Sequence, residues 1–114
     1  MQETRPPDVA TAICKANDTL RRTFMTGNVM MTRGIRAFPD ETVQRIFNAI
    51  QSFDAFDHNN DPYGEHDFGR VNVDDESICW KIDYFDADLR FASEHPANTA
   101  LTRRVLTIML VNEY

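Results

Sequence analysis

The spacing of hydrophobic residues changes from a helical to a strand period near the middle of this chain of 114 residues. Before residue 54, two segments place apolar residues three or four positions apart, which predicts amphipathic helices at residues 8–27 and 39–53. After residue 67, apolar and polar residues alternate, most clearly at residues 78–82. Alternation is the period of a strand with one buried face, so the sequence predicts an α+β protein.

Further strands and one further helix complete the predicted architecture. Short apolar runs bounded by turn residues predict strands at residues 29–33, 68–73, 77–84 and 89–92. After the break at Pro96, the apolar spacing predicts a C-terminal helix at residues 101–112. The expected fold is an antiparallel three- to four-stranded meander with helices packed on one face. Because Tyr84 and Phe85 cannot both face the core, one of them is expected to be an exposed anchor for a partner.

Length and composition predict one folded domain at residues 8–114, after a disordered leader at residues 1–7. A chain of this length with 42% hydrophobic residues can bury a core without metals or disulfides. The N-terminus lacks a signal-peptide pattern and no segment has the apolar length of a membrane span, which predicts a cytoplasmic protein. Cys14 and Cys79 lie within apolar periodic segments and are predicted to be free thiols.

Acidic residues are concentrated in the second half of the chain. Residues 54–94 contain twelve acids and three bases, a net charge of −9, whereas the rest of the chain has a net charge of +3. This distribution disfavours direct binding to DNA or RNA, because affinity for phosphate requires clustered lysine and arginine. It favours a basic or nucleic-acid-binding protein as the partner. The predicted acidic partner surface consists of Asp57, Asp61, Glu65, Asp74, Asp75, Glu76, Asp86 and Asp88.

The polar segment at residues 57–67 concentrates side chains that can bind a metal ion. It matches a calcium loop at the first, third and fifth positions, but Pro62 replaces the turn glycine and Phe68 the bidentate glutamate. Transition-metal ligands are present without a diagnostic spacing. The predicted metal ligands are His58, Asp61, Glu65, His66 and Asp67. In the alternative interpretation, these side chains bond to the loop backbone and hold the turn rigid.

Four strings of residues in the second half of the chain carry a resemblance to known sequences. They are GEHDFG at 64–69, WKIDYFD at 80–86, DLR at 88–90 and TRRVLTIMLVNEY at 102–114. Together they resemble a family of small proteins of unknown function from proteobacterial genomes and mobile elements. The resemblance extends from about the first helix to the C-terminus and implies no activity for any residue. The mobile-element setting implies that the partner is a host defence complex, such as a CRISPR effector or a restriction enzyme.

Three functions are compatible with these patterns. The first is a small acidic non-enzymatic binding protein without a cofactor, an inhibitor of a host defence or other nucleic-acid-handling complex of the anti-CRISPR or anti-restriction type. The second is a metal-dependent hydrolase that uses the polar segment. The third is a homo-oligomeric structural module, for example a homodimer, in which the C-terminal helix packs against its own copy. The alternative for the acidic residues is that they only keep the protein soluble.

Overall fold

A computed structural model describes residues 6–114, which form a four-stranded mixed sheet with three helices. The elements are α1 (Pro7–Thr23), β1 (Asn28–Met31), α2 (Arg33–Arg36), α3 (Asp40–Gln51), β2 (Phe68–Val73), β3 (Glu76–Phe85), β4 (Arg103–Leu110) and a final 3-10 turn (Val111–Glu113). The strand order is β1-β4-β3-β2. Strands β2, β3 and β4 pair antiparallel, whereas β1 pairs parallel with β4. The predicted α+β class is confirmed, but the sheet is not the purely antiparallel meander that the sequence predicted.

The helices pack against one face of the sheet, as their amphipathic patterns predict. The core unites side chains from all three helices with the inner face of the sheet: Leu20, Ile35, Ile46, Ile50, Val73, Ile78, Trp80, Ile82, Leu106 and Ile108. Burying an aliphatic side chain of this size contributes about 1.5–3 kcal/mol, so this layer is the main source of stability. The alternation of Ile78, Trp80 and Ile82 correctly predicted that these three side chains are buried on one face of the sheet.

The predicted C-terminal helix is wrong, because residues 103–110 form the strand β4 in the middle of the sheet. Leu106 and Ile108 face the helices, and Met109 on the other face is only 4% exposed. Met109 lies opposite Cys79 of β3, which is itself buried. A strand that is apolar on both faces cannot be distinguished from a buried helix by periodicity alone. A homo-oligomer built on this helix therefore loses its structural basis.

The predicted strand at residues 89–92 is also wrong, because this segment is an irregular turn. The backbone N–H of Asp86 donates to the carbonyl of Phe91 at 2.8 Å, and Leu89 has a positive φ of 59°. The segment has one isolated bridge to the sheet, between Phe85 and Ala92. Because β2 and β4 already flank β3, the sheet has no place for a third partner along that strand.

The boundaries of the first elements differ slightly from the prediction. Helix α1 begins at Pro7 and ends at Thr23 rather than spanning residues 8–27, and the left-handed residue after it is Phe24, with a φ of 59°. Gly27 permits a close approach of two backbone segments, because a Cβ atom there would lie 2.7 Å from the carbonyl oxygen of Arg104. Residues 33–36 form the short helix α2 instead of ending a strand.

Two further expectations concern the ends of the chain and membranes. Most of the predicted leader, residues 1–5, lies outside the described residues. Within residues 6–114, no helix combines the length and the apolar character that crossing a bilayer requires.

Candidate functional site

The connection between β3 and β4, residues 86–102, exposes large apolar side chains at one end of the sheet. Phe91 is 68% exposed, and Leu89 and Leu101 are each about half exposed. Met25, which follows α1, is 84% exposed and lines one surface groove together with Leu89 and Ala87. Phe91 and Leu101 line a neighbouring groove that also contains Ala87. We call Met25, Leu89, Phe91 and Leu101 the apolar patch.

Acidic side chains border the part of this patch formed by Phe91 and Leu101, whereas the exposed Arg103 lines the groove of Met25 and Leu89. Asp86, Asp88 and Glu94 line the same groove as Phe91 and Leu101. Arg90 is the only lysine or arginine within residues 86–102, and its guanidinium lies 5.8 Å from the centre of the Phe91 ring. Next to Leu101, a larger groove of about 930 Å³ runs between the start of α1 and residues 93–101. The connection therefore combines exposed apolar side chains, an acidic rim and concave surface.

Hydrogen bonds hold this connection in one conformation although it lacks regular secondary structure. The carboxylate of Asp86 accepts from the backbone N–H of Arg90 at 3.0 Å, which closes the first turn. The backbone N–H of Ser93 donates to the carbonyl of Tyr84 at 3.0 Å. Near the other end, the hydroxyl of Thr102 donates to the carbonyl of His95 at 2.8 Å. A surface ordered in this way loses less conformational entropy when it binds a partner.

A buried polar network lies beneath the connection and joins it to the rest of the fold. The Nδ2 group of Asn17 donates to the carbonyl of Glu65 at 2.9 Å and to the hydroxyl of Tyr84 at 2.7 Å, and its Oδ1 accepts from Nε of Arg104 at 2.7 Å. Arg104 also donates to the carbonyl of Pro96, and Tyr84 donates to the carboxylate of Glu65 at 3.1 Å. We call Asn17, Glu65, Tyr84 and Arg104 the Asn17 network.

The ionisable members of the Asn17 network are shielded from water. Arg104 is 5% exposed and Glu65 is 6% exposed. Burial lowers the pKa of Arg104, and burial raises the pKa of Tyr84 well above its usual range. The Tyr84 hydroxyl therefore remains protonated at neutral pH and acts as the hydrogen-bond donor to Glu65. The network is a structural support for the connection above it.

A second polar cluster fixes the segment at residues 57–67 against α1. Asp18 accepts hydrogen bonds from Nδ1 of His66 at 2.9 Å and from the buried guanidinium of Arg21 at 3.0 Å. The other ring nitrogen of His66 lies 3.5 Å from the carboxylate of Asp61. The Cys14 thiol donates to Asp18 at 3.8 Å. We call Cys14, Asp18, Arg21, Asp61 and His66 the Asp18 cluster.

The Cys14 thiol in this cluster is unsuited to act as a nucleophile. Burial, followed by the negative charges of Asp18 and Asp61, raises its pKa to about 11. A thiol with this pKa is almost entirely protonated at neutral pH, whereas the thiolate is the reactive species. The Cys14, Asp18 and His66 side chains therefore do not form a cysteine-based catalytic triad.

Of the five predicted metal ligands, the structure pairs the side chains of Asp61 and His66. Glu65 instead accepts from Tyr84, and His58 lies in an exposed turn. The backbone carbonyl of Asp67 accepts from the N–H of Ile82 and so extends the β2–β3 pairing. Sequence reasoning missed Cys14 and Asp18, which are four residues apart and so share one face of α1.

The predicted acidic surface is not one surface. Asp74, Asp75 and Glu76 lie at the β2–β3 turn, whereas Asp86 and Asp88 follow the other end of β3, roughly 30 Å away at about 3.3 Å per residue. Several of the predicted residues already have partners within the protein. Asp74 pairs with Arg45, Asp57 accepts from the backbone of Asn59 and Asn60, and the side chains of Asp61 and Glu65 are at most 6% exposed.

Replacing Asp18 with asparagine is expected to lower the stability of the protein at pH 7 by about 2 kcal/mol, the scale of hydrogen bonds to a charged group. Burial alone would raise the pKa of Asp18, but the hydrogen bonds from His66 and Arg21 outweigh it and lower the pKa. Because the folded state then binds its proton more weakly than the unfolded state, this stabilisation is present above about pH 4 and is lost as the pH falls further.

Denaturant unfolding of the Asp18→Asn variant and the wild type between pH 7 and pH 3 measures this effect. The pKa of Asp74 and of Glu113 is also lowered, by hydrogen bonds to Arg45 and to Thr32, so both proteins lose some stability in acid. The difference between the two curves isolates Asp18 and is expected to shrink below about pH 4. A difference that stays constant down to pH 3 would contradict the role given to Asp18.

The fold and these contacts define a small α+β domain whose ordered surface connection rests on a buried polar network. A family model described as "Protein of unknown function (DUF3768)" matches residues 31–113. The chain belongs to this family, and the matched region contains β2, β3, β4, the connection and the apolar patch except Met25, but only the last residue of β1. No curated protein and no solved structure matches the chain significantly.

Proposed function

We propose that this protein is a non-enzymatic binding protein that docks on a basic protein through the apolar patch and its acidic rim. The observation that carries the proposal is the exposure of Phe91, Leu89 and Leu101 on one hydrogen-bonded connection. Apolar side chains that are grouped on a surface and surrounded by polar residues are typical of sites for protein interaction. Phe91 has the size and position of a central anchor.

The chemistry of the rim selects a basic partner. Asp86, Asp88 and Glu94 outnumber Arg90 within the connection, and they share a groove with Phe91 and Leu101. A complementary surface carries lysine or arginine around an apolar pocket that accepts an aromatic ring. Attraction between opposite charges accelerates association and makes it sensitive to salt.

Proteins that handle nucleic acids present basic surfaces of this kind, so the proposed partner belongs to that class. We expect the protein to meet this partner in the cytoplasm. In its specific form, the proposal is that the protein inhibits a host defence complex. The acidic rim supports a protein partner rather than a nucleic acid, because three carboxylates repel a phosphate backbone. No step of the proposal requires a cofactor or a reactive side chain.

Replacing Phe91 with alanine is expected to lower the affinity for the partner at least ~10-fold, as truncation of an aromatic anchor does. The measurement is capture of partners from a lysate of the native cells by tagged protein, quantified by mass spectrometry at low and high salt. The wild type should retain a basic protein whose recovery falls as salt increases, because screening shortens the range of the attraction. The Phe91→Ala variant should lose that protein.

A charge change of the same size at the β2–β3 turn, at the opposite end of β3 from the apolar patch, provides the control. The double variant Asp86→Asn/Asp88→Asn removes two negative charges beside the patch, and Asp75→Asn/Glu76→Gln removes two at the β2–β3 turn. The first is expected to weaken capture, and the second is expected to leave it unchanged. Equal capture by wild type and Phe91→Ala, or loss only in the β2–β3 turn variant, would contradict the proposed docking surface.

A further inference from the structure

We propose that Cys14, Asp18 and His66 form a binding site for one divalent transition-metal ion of the zinc class. This site differs from the metal site expected from the sequence, because two of its ligands come from α1 and only His66 comes from the polar segment. It is also independent of the proposed docking on a basic partner. The two proposals can therefore fail separately.

The ligand atoms already lie at distances close to those of a metal site. One atom from each of the three residues lies within 4.8 Å of the other two. The Cys14 sulfur is 3.8 Å from Oδ2 of Asp18, and Nδ1 of His66 is 2.9 Å from Oδ1. A tetrahedral zinc ion with bonds of 2.0–2.3 Å separates its ligands by about 3.3–3.8 Å. Because all three separations are at most 4.8 Å, an ion replacing the shared protons requires shifts of about one ångström or less.

The imidazole of His66 is held in the orientation that such a site needs. Its ring stacks on Phe56 with a centroid separation of 3.7 Å and an interplanar angle of 4°. Asp61 accepts from the backbone N–H of His66 at 3.1 Å and places its other oxygen 3.5 Å from Nε2. When an ion displaces the Nδ1 proton that Asp18 accepts, the Asp61 carboxylate beside Nε2 can accept the remaining ring N–H, a common arrangement around zinc.

The charges in the cluster match a divalent cation. When the ion binds, Cys14 loses its proton, so the site contains three negative charges from Cys14, Asp18 and Asp61. Arg21 contributes one positive charge through its contact with Asp18. With the two positive charges of the ion, the cluster becomes neutral. A nearly neutral cluster avoids the cost of leaving an unbalanced charge in a partly buried position.

The kind of ligand and the access to solvent define the ion. One thiolate, one imidazole and one carboxylate favour zinc or cobalt over magnesium or calcium, which prefer oxygen ligands alone. The side chains of Asp18 and His66 are 22% and 26% exposed. That exposure gives an ion a route into the site and leaves the fourth coordination position to water.

Titration of the reduced protein with Co²⁺ tests this inference, because a thiolate bound to cobalt has a charge-transfer absorption in the near ultraviolet. The band is expected to saturate at one ion per chain and to be displaced by Zn²⁺. The Cys14→Ser variant should lose the band, and Cys79→Ser should keep it because Cys79 lies on β3 on the face away from the helices. Asp61→Asn is expected to weaken binding about 10–100-fold through the orientation of His66.

Two results would overturn the site. One is the absence of a charge-transfer band at saturating cobalt, and the other is a band that survives in Cys14→Ser. Circular dichroism of each variant establishes that the fold is retained, so loss of binding cannot be attributed to unfolding. Partner capture by Cys14→Ser is expected to equal that of the wild type, which keeps this test separate from the test of the docking surface.

Discussion

Replacing Asn17 with alanine is expected to lower the free energy of unfolding by about 3 kcal/mol, and the melting temperature by about 10–20 °C. Asn17 is fully buried and makes three hydrogen bonds. Its loss leaves Nε of Arg104 and the carbonyl of Glu65 without the partner that each has in the network. An unsatisfied donor on a buried charged group is among the costliest defects in a protein interior.

Two further variants separate the hydrogen bonds from the effect of a cavity. Asn17→Leu restores side-chain volume without the hydrogen bonds and is expected to destabilise the protein about as much as Asn17→Ala. Asn112→Ala, at an exposed position near the C-terminus, is expected to change stability by less than about 0.5 kcal/mol. Thermal and denaturant unfolding measure all three. An Asn17→Leu variant as stable as the wild type would contradict a stabilising role for the network.

Replacing Gly69 with alanine is expected to destabilise the protein by about 2–3 kcal/mol through overpacking. Gly69 lies opposite Trp80 in the β2–β3 pair, and a Cβ atom at this position would lie 2.7 Å from three atoms of the indole ring. Trp80 is fully buried and is bordered by the rings of Phe53 and Phe56, so it has no space into which to move. A loss of stability is informative here, because replacing a strand glycine with alanine usually stabilises a protein when the methyl group fits.

A double-mutant cycle with Trp80→Phe tests the cause. The smaller ring removes the indole atoms that the new methyl group would contact, so Gly69→Ala should cost less in the Trp80→Phe background. A coupling energy of at least about 1 kcal/mol is expected for two residues in such close contact. Trp80 is the only tryptophan of the chain, so its fluorescence is lost in the Trp80→Phe background, and circular dichroism follows the unfolding of all four proteins. Additive effects of the two substitutions would contradict the steric explanation.

The parts of the fold that the sequence predicted are those with one buried face. Helices α1 and α3 have a wide apolar stripe, and the inner face of β3 alternates with the period of two. Strand β4 was assigned to a helix because it is apolar on both faces, with Leu106 on the inner face and Met109 on the outer one. Its parallel pairing with β1 joins segments more than 70 residues apart, and no local pattern encodes such a contact.

The functional surfaces were harder to predict because they depend on which side chains remain uncovered. Phe91 was expected within a strand at residues 89–92, and its exposure follows from the turn that begins at Asp86. The high local density of acids suggested one surface, but the length of β3 separates the two groups. The Asp18 cluster joins Asp18 to His66 across 48 positions of sequence, so only the fold brings its ligands together.

Site-specific photo-crosslinking tests the docking surface most directly. Benzoylphenylalanine in place of Phe91 keeps an aromatic anchor in the apolar patch, whereas the same residue in place of Met30 labels the exposed edge strand β1. In native cells, the probe at position 91 is expected to crosslink to a basic protein, and the probe at position 30 is expected not to reach it. Crosslinking of that protein from position 30, or its absence from position 91, would contradict docking through the apolar patch.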